Sequence, residues 1–251
     1  MELISPEWLG LLAIIALVAG FIDAIAGGGG LLTIPALMMA GLNPLQALAT
    51  NKAQACFGSF SATVYFVRRG MVKLPEVWEM IALVLLGSAL GTWSVQLIDT
   101  RILEDIMPVL LIGIAVHTLL SKKLGEEARQ RRISDRLFAV TAAFTVGFYD
   151  GFFGPGTGTF FALAFVSLLG MHLVNATAHA KVMNFTSNIV SFAVFAVSGH
   201  VVWVVAAAMA VGQFVGARLG AKMVMAKGTA LIKPVTIIVC LAMSISLLLK
   251  S

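Results

Sequence analysis

The chain reads as an all-α polytopic membrane protein, with about 8–10 membrane segments in two inverted-topology repeats that contain broken half-helices. Three observations predict this. First, 59% of the 251 residues are hydrophobic and 12% are charged, with a mean hydropathy of +0.98. A soluble domain carries about 25% charged residues and could not hide so much apolar surface. Second, apolar runs recur along the chain, separated by short basic stretches. Third, one unusual stretch occurs twice. Residues 147–188 read GFYDGFFGPGTGTFFALAFVSLLGMHLVNATAHAKVMNFTSN, and residues 20–59 read GFIDAIAGGGGLLTIPALMMAGLNPLQALATNKAQACFGS. Gly20, Phe21 and Asp23 match Gly147, Phe148 and Asp150, and Gly27 matches Gly154. After a short length difference Gly41 matches Gly170, and Lys52 matches Lys181.

The first apolar segment covers residues 8–26 and stops at the glycines 27–30. With acids but no basic residue before it and no clear cleavage site, it is expected to be a retained span rather than a secretory signal. The second covers 31–42 and ends at Asn43-Pro44. Twelve helical residues reach about 18 Å, less than the roughly 30 Å hydrocarbon core, so this is expected to be a half-helix leaving an unwound glycine loop. Further segments cover 45–67, 77–98 and 106–120. A polar stretch, 121–136, carries six Lys and Arg residues and links the halves. The second half repeats the order with 137–153, 159–169, 173–198, 201–225 and 231–249. Trp78 matches Trp203, and Gly87-x-x-x-Gly91 matches Gly212-x-x-x-Gly216. Small residues four apart let membrane helices approach closely, and plain packing is their ordinary reading. The expected division is a first repeat at 1–121, a cytoplasmic linker at 122–136 and a second repeat at 137–251.

Basic loops at 68–73, 121–136 and 222–233 are expected on the cytoplasmic side, and the loops near Asp99 and His200 outside. The loop at 68–73 is inside while its counterpart at 199–200 is outside, so each half crosses an odd number of times and the halves are inverted. Both termini then lie outside the cytoplasm. Counting the short second segments as re-entrant would instead give eight spans and a parallel repeat. The net charge of +5 sits in these loops, so it argues for membrane orientation and not for nucleic acid.

Broken helices in matching places of two halves are a transporter layout. The half-helices starting near Leu31 and Thr159 would aim N–H groups at the midplane, where helix N-termini attract anions. Gly29, Gly30, Gly156, Thr157 and Gly158 are therefore candidate binding residues. Lys52 and Lys181 lie about 10 Å deep, where a charge costs at least about 2.5–3.5 kcal/mol on insertion scales. Such a lysine faces a cavity or partner, or else snorkels to the interface. Thr177, Lys181, Asn184, Asn188 and Ser191 share one helical face, as do Lys52 and Ser59, with Asn51, Gln54, Gly58 and Ser61 beside them. Lys52, Lys181, Asn51, Asn184 and Asn188 would offer ammonium and amide donors to an anion. Asp23 and Asp150 would pair with the lysines, carry protons, or accept N–H bonds from the unwound loops. His179 is a further protonatable candidate, with a satisfied core histidine as the alternative. No metal ligand set, nucleophile triad or phosphate loop is present in the pattern. Neither an enzyme nor a cofactor is expected.

These residues also carry a resemblance. The runs GFIDAIAGGGGLLTIPAL with ATNK and GFYDGFFGPGTG with TAHAKVMNFTSN resemble the TauE/SafE family of sulfite exporters and toluene sulfonate uptake permeases. They are most similar to its YfcA-like branch, and the likeness extends to GQFVGARLG at 212–220 and to the KLGEEARQRR linker. The resemblance implies a secondary transporter of small anions, sulfite or organosulfonates, in the bacterial inner membrane. Its partners would be that solute, membrane lipid, and protons or another coupling ion. A cation-coupled exporter of a non-sulfur metabolite and a non-transporting scaffold are the competing readings.

Overall fold

The computed structural model describes residues 5–103, 109 and 130–228. The predicted segments at 106–120 and 231–249, and most of the linker, lie outside the described residues. Among those described, the secondary structure is helical throughout. α1 spans Pro6–Ala26, with Ser5 capping its start and Gly27 in the left-handed conformation at its end. α2 spans Gly29–Met39, and α3 spans Pro44–Arg68. An Asn43–Gln46 capping box and Pro44 start α3 where the sequence places a break. α4 spans Trp78–Val95. In the second half, α5 (Asp135–Phe138), a π turn (Ala139–Ala143) and α6 (Phe144–Phe152) form one continuous helical stretch. α7 spans Thr157–Leu169, α8 spans Leu173–Val197 and α9 spans Trp203–Lys227.

The two half-helices start two residues earlier than the sequence pattern suggests, at Gly29 and Thr157. The apolar run marks where the helix is greasy, whereas the glycine itself permits the turn that begins it. α1, α4, α8 and α9 are long and apolar enough to cross a membrane. α3 is as long as α8 and α9, and like α8 it buries seven polar or charged side chains.

Glycines set the closest helix contacts. α1 and α9 lie together in the same sense: Gly212 faces Ala13, Gly216 faces Leu17 and Gly220 faces Phe21. A methyl group on Gly216 would stand 2.0 Å from the Leu17 carbonyl oxygen. α4 and α6 pair in the same way, with Gly87 on Phe144, Gly91 on Phe148 and Gly151 on Ser88. These are the small-residue contacts that let membrane helices pack backbone to backbone.

α3 and α8 cross at the centre in opposite senses. Thr50 accepts from the Val202 N–H just beyond the end of α8, Ser59 accepts from Asn188, and Thr63 donates to the Lys181 carbonyl. α2 runs back along α1, so that Gly29 abuts Ala19 and Asp23. Two apolar clusters hold the ends of the bundle. One gathers Phe66, Phe138, Phe161 and Phe165, the other Leu12, Ile34, Leu37 and Phe195. Along α3 and α8 the buried polar residues fall between them. Arg218 lies over the Tyr65 ring at 4.7 Å, and Arg69 contacts the same ring at 5.0 Å.

Candidate functional site

The two hairpin tips meet in the middle of the bundle. A methyl group on Gly27 would stand 2.3 Å from the Thr159 nitrogen, and one on Gly158 would stand 2.5 Å from the Gly27 Cα. Thr159 donates to the Ala26 carbonyl across the same contact. Only glycine permits this approach, and Gly27 also holds φ = +78°, a region costly for other residues. The tip of the second half is tied further by Tyr149, whose hydroxyl donates to the Pro155 carbonyl at 2.6 Å.

Below the tips, four charged side chains form two ion pairs that cross between the halves. Lys52 donates to Asp150 at 2.6 Å and to Asn188 Oδ1 at 3.3 Å. Lys181 donates to Asp23 Oδ2 at 2.9 Å. A buried lysine without a partner is costly, and each pair satisfies that need. The carboxylates also hold the helix starts. The Gly29 N–H at the start of α2 donates to Asp23 at 3.2 Å. Thr157, the first residue of α7, donates its hydroxyl to Asp150 at 2.9 Å, and Ser187 donates to the other oxygen of Asp150. Each aspartate thus sits where an external anion would find its donors.

A cavity of about 30 Å³ opens among these groups, on the scale of one or two water molecules. Of the residues predicted from the pattern, Gly29, Gly30, Asn51, Lys52, Gly158, Asn184, Asn188, Asp23 and Asp150 line it. Lys181 reaches it through Asp23. Asn51 accepts from Thr33 and Gln54. Asn184 is 4% exposed, and its Oδ1 has no hydrogen-bond partner within the protein. Such an orphaned acceptor facing a cavity is a place for a donor to bind.

Three predicted residues are not brought to the cavity. Gly156 serves the turn before α7 with φ = +81°. Thr157 spends its hydroxyl on Asp150 and the Gly154 carbonyl. His179 lies elsewhere on α8, its Nδ1 against the Asn175 carbonyl at 2.8 Å and its ring against Phe165. Conversely Gln213, Ala55, Gly27 and Gly154 line the cavity without having been singled out for it. Gln213 had a signal, being a lone amide in an apolar run between two close-packing glycines. Ser187 had a weaker one, falling three residues after Asn184 on the same face of α8. Among the described residues, no group of three or more His, Cys, Asp or Glu side chains could hold a metal ion.

The sequence pattern described as "Sulfite exporter TauE/SafE" matches residues 12–247. The chain belongs to the TauE/SafE family. It is 53% identical over 249 residues to the "Probable membrane transporter protein YfcA" of Escherichia coli (strain K12), covering 99% of this chain and 93% of that one. A "Probable membrane transporter protein" of Haemophilus influenzae is 50% identical over 241 residues, covering 96% and 94%. The "Probable membrane transporter protein YunE" of Bacillus subtilis (strain 168) is 24% identical over 236 residues. No solved structure matches. This TauE/SafE protein is thus a membrane transporter, and its central ion pairs and hairpin tips lie within the matched span.

Proposed function

We propose that the protein is a secondary transporter of small anions, sulfite or organosulfonates, working by alternating access around the central cavity in the bacterial inner membrane. The observation that carries this reading is the meeting of Lys52, Gly29 and Gly158 at one cavity, with Lys181 reaching it through Asp23; Asp150 holds Lys52 and the Thr157 hydroxyl, and Asp23 holds Lys181 and the Gly29 N–H. A solute anion would displace a carboxylate and take over its donors. Asn51, Asn184 and Asn188 shape the space around it. Family membership supports sulfur anions as the solute class.

Alternating access requires two halves facing opposite ways. The contacts support that arrangement. α3 runs against α8, while α9 runs with α1 and α6 runs with α4. On this reading the two repeats, 1–121 and 137–251, are inverted, and the basic loops would put the linker at 122–136 on the cytoplasmic side and both termini outside.

A thermal-shift screen of the purified protein with sulfite, thiosulfate, sulfoacetate, taurine and sulfate tests the reading. At least one sulfur anion is expected to stabilise the protein, and the shift should vanish in Lys181→Ala. Wild-type uptake by Lys52→Ala/Lys181→Ala proteoliposomes would remove the lysines from the mechanism. If aspartate changes abolish transport while lysine changes do not, the protein is a cation-coupled exporter of another metabolite.

A further inference from the structure

The charges around the cavity sum to zero. Lys52 and Lys181 are matched by Asp150 and Asp23, and among the described residues no other charged side chain is buried. An anion entering this site alone would leave it with an uncompensated negative charge away from water, which is strongly unfavourable. Something positive must enter with the anion. The donors that the anion needs are also the donors now held by carboxylates. Protonating a carboxylate solves both problems, because it restores neutrality and releases a lysine.

The two aspartates differ in their fitness for this. The Asp150 side chain is 4% exposed and accepts from Lys52, Thr157 and Ser187. A proton there would have to compete with three donors at a carboxylate nearly closed to water. The Asp23 side chain is 21% exposed, and the bonds found for it are from Lys181 and the Gly29 N–H. The groups facing it are Lys181 of α8 and, across the cavity, Lys52 of α3 and Asp150 of α6. α2, α7 and α9 line the cavity with glycines and Gln213, which do not titrate.

We propose that Asp23 is the proton site of the transport cycle: one proton binds Asp23 as each anion binds Lys181, and the two cross together. This rests on the anion-transport reading of the same cavity. The cycle moves one hydrogen ion from water to the Asp23 carboxylate and returns it on the other side, so no bond in the solute changes.

The test uses the full chain in proteoliposomes with the membrane potential clamped at zero. The probe is isethionate, a sulfonate whose single charge does not change between pH 5 and pH 8. One proton per anion makes a one-unit pH gradient worth about tenfold accumulation on the acid-opposed side. An internal pH dye should report proton entry that depends on isethionate. In Asp23→Asn, the residual flux should lose its response to the pH gradient and gain one to membrane potential, because Lys181 is then left uncompensated. Should that variant fail to fold, Asp23→Glu takes its place: coupled flux should persist with a shifted pH dependence, and a pH dependence identical to wild type would overturn the assignment to Asp23. If wild-type vesicles carry no isethionate or other sulfur anion, the transport reading fails and this one with it. If they carry isethionate without proton entry, or if Asp23→Asn flux still follows pH, only the proton site is overturned.

Discussion

The two ion pairs come from matching positions of two related sequences, yet they sit in different surroundings. Both aspartates line the cavity, but Asp150 has three side-chain donors and is 4% exposed, while Asp23 has one lysine and one backbone N–H and is 21% exposed. The difference traces to two positions. Thr157 holds Asp150, and its counterpart beside Asp23 is Gly30. Ser187 also holds Asp150, and its counterpart is Gly58. A methyl group on Gly58 would stand 2.5 Å from the Gln213 amide oxygen, so that side chain would have to turn aside. One half therefore supplies a fixed electrostatic anchor, and the other supplies a pair loose enough to exchange partners.

The largest effect should come from breaking the anchor. Lys52→Ala leaves a carboxylate buried without its cation, a loss of about 3–5 kcal/mol for a buried pair. Thermal unfolding in detergent should fall steeply, and a near-wild-type midpoint would show that Asp150 is not held as described. Next in size, Gly27→Ala forces the hairpin tips apart, at about 1–3 kcal/mol from overpacking alone. Its unfolding midpoint should drop further than that of Gly41→Ala, where positive φ is shared but nothing lies within 4 Å of the added carbon.

Lys181→Ala is expected to cost less stability than Lys52→Ala, about 1.5–3 kcal/mol for bonds to a charged group, because Asp23 can turn toward the cavity. Its loss should show in anion-dependent thermal shifts more than in expression. Equal destabilisation by the two lysine changes would erase the distinction between the pairs. Gly30→Ser sharpens it from the other side. The added carbon meets nothing closer than 3.4 Å, and the position matches in sequence that of Thr157, which serves Asp150. A gain of about 0.5–1.5 kcal/mol is expected, with slower anion exchange as Asp23 becomes better held. His179→Gln should matter least, within about 0.5 kcal/mol in stability and with anion shifts retained, because the ring contacts Phe165 and its own helix rather than the cavity.

Much of the fold was legible because membrane helices leave strong local marks. Asn43-Pro44 starts α3, and Gly27 ends α1, both where the residues demand a break. The polar faces of α3 and α8 followed from helical spacing, and the residues on them are buried. Gln213 and Ser187 were harder to assign. Neither carries a charge, and a neutral hydroxyl or amide in an apolar helix is more often a packing residue than a site. The place of Gln213 at the cavity and the bond from Ser187 to Asp150 depend on which helix each one meets.

By itself the sequence determined the membrane class, the positions of most helices, the glycine breaks and the four charged residues that had to find partners. Helical period and hydropathy are properties of neighbouring residues, so they can be read without knowing the fold. Tertiary structure alone decided that Lys52 joins Asp150, 98 positions away, and that Lys181 joins Asp23, 158 positions away. It also decided that Asp150 is held by three side-chain donors and Asp23 by a lysine and one backbone N–H. Those outcomes depend on how α3 crosses α8 and how the hairpin tips meet, which long-range packing sets and no local pattern encodes.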